Sequence, residues 1–505
     1  MTRKILFVIL VAFLIFQTPH LSAQTKTQKK AAPKVPEPSL AITHHTIQID
    51  GKPLKYTATT GYLLLKDEKE KPKANVFFAA YTKDGVKDLS RRPITFAFNG
   101  GPGSSSVWLH LGALGPRKVL MSDEGFPLPK PFRLVDNKHS ILDVTDLVMV
   151  DPVSTGYSRA VKGVNPKEFH GFNEDTESVG EFIRLFITKY ERWASPKFLL
   201  GESYATTRSA GLSEFLQGRR HGMYLNGIIL VSSVLNWQTI RFQAGNDLPY
   251  ILFLPTYTAT AWYHKKLPPD LQKKSLCDVL DEVEKFALKD YTLALMKGNE
   301  LPADEKKEIV QKLARYTGLS SDYIEQTNLR ILLYRFVKEL LRDEGYTVGR
   351  LDGRFKGKDA DSAGERYEFD PSNAAIYGPF TATLNHYLRT ELKYKNNIPY
   401  AISGNVRPWN FSNVENRFLN VAETLRQAMS QNKFLKVFVA NGYYDGATPY
   451  FATEYTFSHL DLNNEFKGRI KMGYYEAGHM MYIREASHAK FKKDIAEFIQ
   501  SAIGN

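Results

Sequence analysis

The sequence predicts an α/β fold: a mostly parallel central sheet flanked by helices, with a helical insertion between its two halves. Three observations predict it. Between residues 94 and 231 short apolar runs alternate with helical periodicity, the rhythm of strands joined by crossover helices. Residues 238–395 break that rhythm with helical patterning. It then resumes to the C-terminus. The 505 residues are 43% apolar and 24% charged, which excludes a disordered chain, a coiled coil, a collagen-like fibre and a polytopic membrane protein. The length suits a large core carrying an insertion.

Taken in order, residues 1–23 read as a secretory signal. Arg3 and Lys4 precede the uncharged apolar run Ile5 to Phe16, and Leu21-Ser22-Ala23 offers small residues for cleavage before Gln24. A retained membrane anchor is the alternative. Residues 24–40 read as a flexible leader. The first part of the core is expected over 41–237. Alternation from Thr46 to Thr82, with turns at Asp50-Gly51 and Asp84-Gly85, predicts antiparallel strands. Ile94 to Phe98, Leu147 to Val150, Phe198 to Leu200 and Ile228 to Val231 predict buried strands. Glu174 to Trp193 predicts an amphipathic helix with Asn173 as N-cap, and Leu212, Phe215 and Leu216 a second helix. In the insertion, helices are expected over Leu271–Lys297, Asp304–Tyr316 and Asn328–Glu344. The second part of the core, 396–505, offers strands at Phe434–Ala440 and Ile470–Tyr475 and a helix at Ala489–Ile503.

Cys277 is the single cysteine, so no internal disulfide, Cys-based zinc site or CxxC redox pair is possible. An exported chain without disulfides points to a bacterial periplasmic or extracellular protein. The net charge is +13. No zinc-finger spacing, basic heptad region or RNA-binding aromatic motif accompanies it, so a solvated basic face is preferred to nucleic-acid binding.

Four stretches carry chemistry. Gly201-Glu202-Ser203-Tyr204-Ala205 sits where a buried strand meets a helix, a turn that lifts a serine above the sheet edge, next to free helix N–H groups. His479 lies in Glu476-Ala477-Gly478-His479-Met480, just after a strand, where a loop imidazole suits a general base. Asp445 lies in a Gly- and Pro-containing turn after another strand, where an Asx-turn is the plain structural reading. The chain order Ser203, Asp445, His479 is that of the α/β-hydrolase triad. Asn99-Gly100-Gly101-Pro102-Gly103 lacks the third glycine of a dinucleotide loop and the Lys of a P-loop. In a hydrolase this loop supplies an oxyanion N–H.

Together these stretches resemble the serine carboxypeptidases (peptidase family S10). The resemblance rests on Asn99-Gly100-Gly101-Pro102-Gly103-Ser104-Ser105, Asp151-Pro152-Val153-Ser154-Thr155-Gly156-Tyr157-Ser158, Gly201-Glu202-Ser203-Tyr204-Ala205 and Ala477-Gly478-His479-Met480. It implies an α/β-hydrolase fold with a helical cap. It also implies Ser203 as nucleophile, His479 as base and then acid, and Asp445 as the orienting acid. The N–H groups of Gly101 and Tyr204 would form the oxyanion hole. Asn99, Gly100 and Glu202 would bind the C-terminal carboxylate of a peptide, and Met480 would line the leaving-residue pocket. Glu202 can bond that carboxylate only if one of the two holds a proton, so activity at acidic pH is expected. Two departures bear on this clamp: Ala97 stands where the family has Trp, and Ala113 where it has a second carboxylate-binding Glu. An esterase or acyltransferase on the same scaffold is the alternative. A catalytically silent envelope-binding protein is a third reading, opposed by the intact Ser203, Asp445 and His479. No cofactor or metal is expected.

Overall fold

Strand alternation assigns each side chain to one of two faces, and the burial follows it. The computed structural model describes residues 40–460, 466 and 468–504. The expected signal (1–23) and all of the leader but residue 40 lie outside the described residues. Ten strands form the main sheet: β1 (Ala41–Ile49), β2 (Lys52–Lys66), β3 (Pro72–Lys83), β4 (Ile94–Phe98), β5 (Asp146–Val150), β6 (Arg159–Ala160), β7 (Lys197–Ser203), β8 (Gly227–Ser233), β9 (Lys436–Gly442) and β10 (Ile470–Tyr475). Their order is β1-β2-β3-β5-β4-β7-β8-β9-β10, with β6 paired to β3. β1, β2 and β3 are antiparallel, and β3 pairs antiparallel with β5. From β5 to β10 every neighbouring pair is parallel.

The inner parallel strands are buried on both faces, as crossover helices require. Ala97, Leu147, Met149, Leu200, Ile229, Val231 and Phe438 face one core, closed by Phe491, Ile495 and Phe498 of the C-terminal helix Glu485–Ile503. Their alternates Phe96, Phe98, Val148, Leu199, Ile228, Leu230 and Val437 face the other. That side is covered by α1 (Phe172–Lys189), α2 (Tyr204–Gln217) and the helix Ala422–Gln431. A third apolar cluster lies among the helices between β8 and β9, chiefly α3 (Leu248–Tyr263), Leu276–Phe286, Ala303–Thr317 and Leu333–Glu339. Among the described residues no helix is long and apolar enough to cross a membrane.

Several element limits differ from expectation. The helix expected from Glu174 is α1, capped by Gly171 rather than Asn173. It stops at Lys189 because Glu191 turns left-handed at φ 54°. The stretch 271–297 is broken: Ser275 caps a new helix, its hydroxyl accepting from the Asp278 N–H. The stretch 328–344 starts late because Asn328 and Leu329 both have positive φ. β9 begins at Lys436, since Phe434 points outward and is 70% exposed. The last helix begins at Glu485, four residues before Ala489.

Candidate active site

β7 ends at Ser203, which has φ 63° and ψ −130° and opens α2. A serine pays strain to sit there, and its neighbours hold it. A Cβ on Gly201 would lie 2.3 Å from the Ala205 carbonyl oxygen, so only glycine lets the strand turn so tightly into the helix. The loop after β4 is pressed against the same turn: a Cβ on Gly100 would lie 2.4 Å from the Tyr204 nitrogen. Phe98 and Gly201 are register partners, so adjacent strands deliver both loops to one sheet edge. The Gly101 and Tyr204 N–H groups donate to no described residue, and both residues line the same cavity as Ser203.

The other two sequence candidates arrive on the next pair of strands. Gly442 and Tyr475 are register partners at the ends of β9 and β10, which brings the loops carrying Asp445 and His479 together. His479 Nδ1 lies 2.8 Å from Asp445 Oδ2. The other Asp445 oxygen accepts the N–H groups of Ala447 and Thr448 at 2.8 and 3.0 Å, and the Thr448 hydroxyl donates to Oδ2 at 2.8 Å. Asp445 is fully buried. Burial works against protonating the His479 ring, but the Asp445 carboxylate, and then Glu202, overcome it and hold its pKa above the ordinary imidazole value. The Ser203 hydroxyl makes no hydrogen bond to a described residue; it and His479 border the same cavity of about 1170 Å³.

Glu202 is buried beside Ser203. Its Oε1 accepts the Asn99 amide N–H at 3.0 Å, and the Tyr482 hydroxyl lies 2.5 Å from Oε2. Burial pushes its carboxyl up to about 7, against the pull of His479 and of these hydrogen bonds. Asn99 is oriented in turn: its Oδ1 accepts the Leu109 N–H, and its backbone oxygen accepts from Arg208 Nη1 at 3.0 Å. Arg208 forms a buried fork on Asp175 of α1, at 2.7 and 3.1 Å, which locks loop, α1 and α2 together. Met480 and Trp108 also border the cavity. Ala97 and Ala113 are both buried; the Ala113 carbonyl is bonded by the Asn137 amide and the His488 ring.

Three contributors escape sequence reasoning. Tyr482 meets Glu202 from 280 residues away. Thr448 reads as turn filler. The loop 350–353 comes from the helical block and holds the loops that carry Asp445 and His479. His479 N–H donates to Leu351 O at 2.7 Å and Gly478 N–H to Asp352 Oδ2 at 3.0 Å. Gly353 N–H donates to Tyr444 O, and Gly446 N–H to Arg350 O. Arg354 forks onto Asp352, and both side chains are buried.

This geometry can be set against known proteins. The serine carboxypeptidase family model matches residues 49–492. The chain belongs to the serine carboxypeptidase family. This serine carboxypeptidase-family chain is 26% identical over 208 residues to "Serine carboxypeptidase-like 45" of Arabidopsis thaliana, covering 40% of the chain and 41% of that relative. It is 30% identical over 146 residues to the pheromone-processing carboxypeptidase KEX1 of Saccharomyces cerevisiae, covering 28% and 19%. The matches thus span less than half the length of these curated relatives. The solved structure of KEX1(delta)p, a prohormone-processing carboxypeptidase from Saccharomyces cerevisiae, superposes with a TM-score of 0.55 at 14% identity, covering 88% of this chain and 91% of that one. The likeness shows the α/β-hydrolase fold.

Proposed function

We propose that this protein is an exported serine carboxypeptidase that removes C-terminal residues from peptides through an acyl-enzyme, favoured at acidic pH. The observation that carries the reading is the buried Glu202, adjoining the strained Ser203 and hydrogen-bonded to Asn99 and Tyr482. A general esterase has no need of a carboxyl beside its nucleophile that holds a proton up to about pH 7. An enzyme that grips a substrate carboxylate does.

In this reading His479 takes the Ser203 proton as Ser203 attacks the scissile carbonyl, and Asp445 stabilises the imidazolium. The Gly101 and Tyr204 N–H groups receive the oxyanion. The imidazolium then protonates the leaving amine, and water, activated by His479, releases the peptide acid. Asn99, the Gly100 backbone and neutral Glu202 hold the C-terminal carboxylate, and Met480 borders the leaving residue. The esterase or acyltransferase reading draws on Ala113, which leaves Glu202 without a second carboxyl.

The deciding experiment compares a blocked dipeptide acid with its amide at about pH 5 and pH 7.5, spanning carboxyl and imidazole titrations. Preference for the acid at the lower pH is expected, with turnover abolished in Ser203→Ala. Hydrolysis of simple esters but of neither peptide would move the assignment to esterase. Export belongs to the proposal too: N-terminal sequencing of protein recovered from the periplasm or medium is expected to begin at Gln24. A chain recovered intact in the membrane fraction would contradict it.

A further inference from the structure

The substrate cavity has a charge pattern that the proposed reaction does not use. Five of its lining residues are titratable or charged in the relevant range: Glu202, His479, Arg241, Arg350 and Arg407. Glu202 is the one acidic side chain among the described residues that line it, and it is held neutral up to about pH 7. At acidic pH no charged carboxylate among the described lining residues faces the arginines.

Their surroundings sharpen the point. Arg241 lies over the Trp237 ring, 4.6 Å from its centroid. Partial burial, and then repulsion from the neighbouring cation Arg407, disfavour its charge. Neither guanidinium has an ion pair or side-chain hydrogen bond with a described carboxylate. Two like charges gathered on one wall cost free energy unless an anion joins them. Arg350 reaches Asp370 at 3.9 Å. That carboxylate is already engaged by the Arg350, Leu351 and Ser372 N–H groups and the Ser372 hydroxyl. Trp237, Trp409 and Phe411 give the same wall flat aromatic faces, with Trp409 set against Tyr204, the residue after the nucleophile.

We propose that Arg241 and Arg407, with the less exposed Arg350, form a subsite for an acidic side chain of the peptide substrate. The protein then prefers peptides bearing Glu or Asp within two residues of the scissile bond. This rests on the carboxypeptidase reading and specifies its substrate class. Guanidinium groups suit the task, because their planar donors bind carboxylates two-pronged and keep their charge at every working pH. The Trp237 indole beneath Arg241 gives its guanidinium a flat surface to rest on, while both Arg241 and Arg407 stay exposed and accessible to a substrate side chain.

The test uses the mature protein and blocked peptide acids that differ only as Glu against Gln, placed in turn at the leaving residue and at the two residues before the scissile bond. At one position Glu is expected to exceed Gln in kcat/KM by about tenfold or more, the ratio given by one charge-assisted hydrogen bond. The ratio is expected to shrink in about 0.5 M salt. In the double variant Arg241→Met, Arg407→Met it is expected to collapse toward one. Glu no better than Gln at every position would overturn the subsite, as would a ratio that survives the double variant. Equal losses for both peptides would also overturn it, because the arginines would then be reading the terminal carboxylate. If the Gln peptides are cleaved without any Glu preference, the carboxypeptidase reading stands and the subsite falls. If no peptide is cleaved, calorimetric binding of the same Glu and Gln peptides to Ser203→Ala decides the subsite by the same ratio.

Discussion

Glu202 and His479 influence each other's protons, and that sets the expected pH behaviour. The charged form of Glu202 raises the His479 pKa, and cationic His479 lowers that of Glu202. They therefore titrate as a pair. Below about pH 7 Glu202 is neutral, which also makes the base easier to deprotonate. Cleavage of peptide acids is expected to fall as pH rises through about 7. Glu202→Gln is expected to erase that fall, and Tyr482→Phe to move it upward, because the Tyr482 hydroxyl favours the charged carboxylate. Profiles of kcat/KM for a free-acid peptide check both; a Tyr482→Phe limb displaced downward would show the sign to be wrong. Ser203, Asp445 and His479 stood out in the sequence because each follows a strand end and the three come in the α/β-hydrolase order. Tyr482 was not, since its role is defined by a contact across the fold and by nothing adjacent to it.

At the scale of elements, the loop 350–353 is the feature that most needs testing. It bonds the Asp445 loop on one side and the His479 loop on the other. Asp352→Asn keeps the shape but removes the charge facing buried Arg354. Breaking a buried pair costs about 3 to 5 kcal/mol, so the denaturation midpoint is expected to fall accordingly, with kcat reduced more than KM is raised. A loss under about 1 kcal/mol, well below that range, would show that the pair does not anchor the loop. The sequence exposed the strands and α1 well, because buried runs and a one-sided stripe are periodic signals. It missed α3 and the helix Pro371–Thr390 for two physical reasons. α3 is buried almost all round and so has no polar stripe, and each helix contains an internal proline, Pro255 or Pro379. Nothing in the local pattern of 350–353 announces a clamp, because its partners lie beyond residue 440.

The whole molecule combines opposing titrations. Burial raises Glu202 and Glu284 to about 7. Their contribution to stability is complete below the ordinary carboxyl pKa of 4.5 and is lost as pH rises through about 7. Burial lowers His110 and His488 to about 3. Theirs is complete above the ordinary imidazole value of 6.5 and is lost as pH falls through about 3. Glu485 works in the same direction as the histidines: despite partial burial, its bonds with Lys118, Lys138 and His139 hold it well below its usual value. Between about pH 4.5 and 6.5 the rising share of these two histidines offsets the falling share of the two glutamates, so the five groups together are expected to give a plateau there, with the steeper loss on the acid side. Melting temperatures from about pH 3 to 9 test this, across the range where these groups titrate; a continuous rise from 4.5 to 8 would refute it.

The clamp also bears on engineering. The helical segment between β8 and β9 supplies Arg241, Tyr334 and Ile376 to the cavity walls and, in the same stretch of chain, the backbone peg that holds the histidine. Grafting that segment from a relative to obtain a new appetite for substrates would therefore also replace the ruler that sets the acid–base pair. A chimaera that keeps residues 350–354 native separates the two inheritances, leaving the pocket free to be redrawn while the catalytic spacing stays where it was.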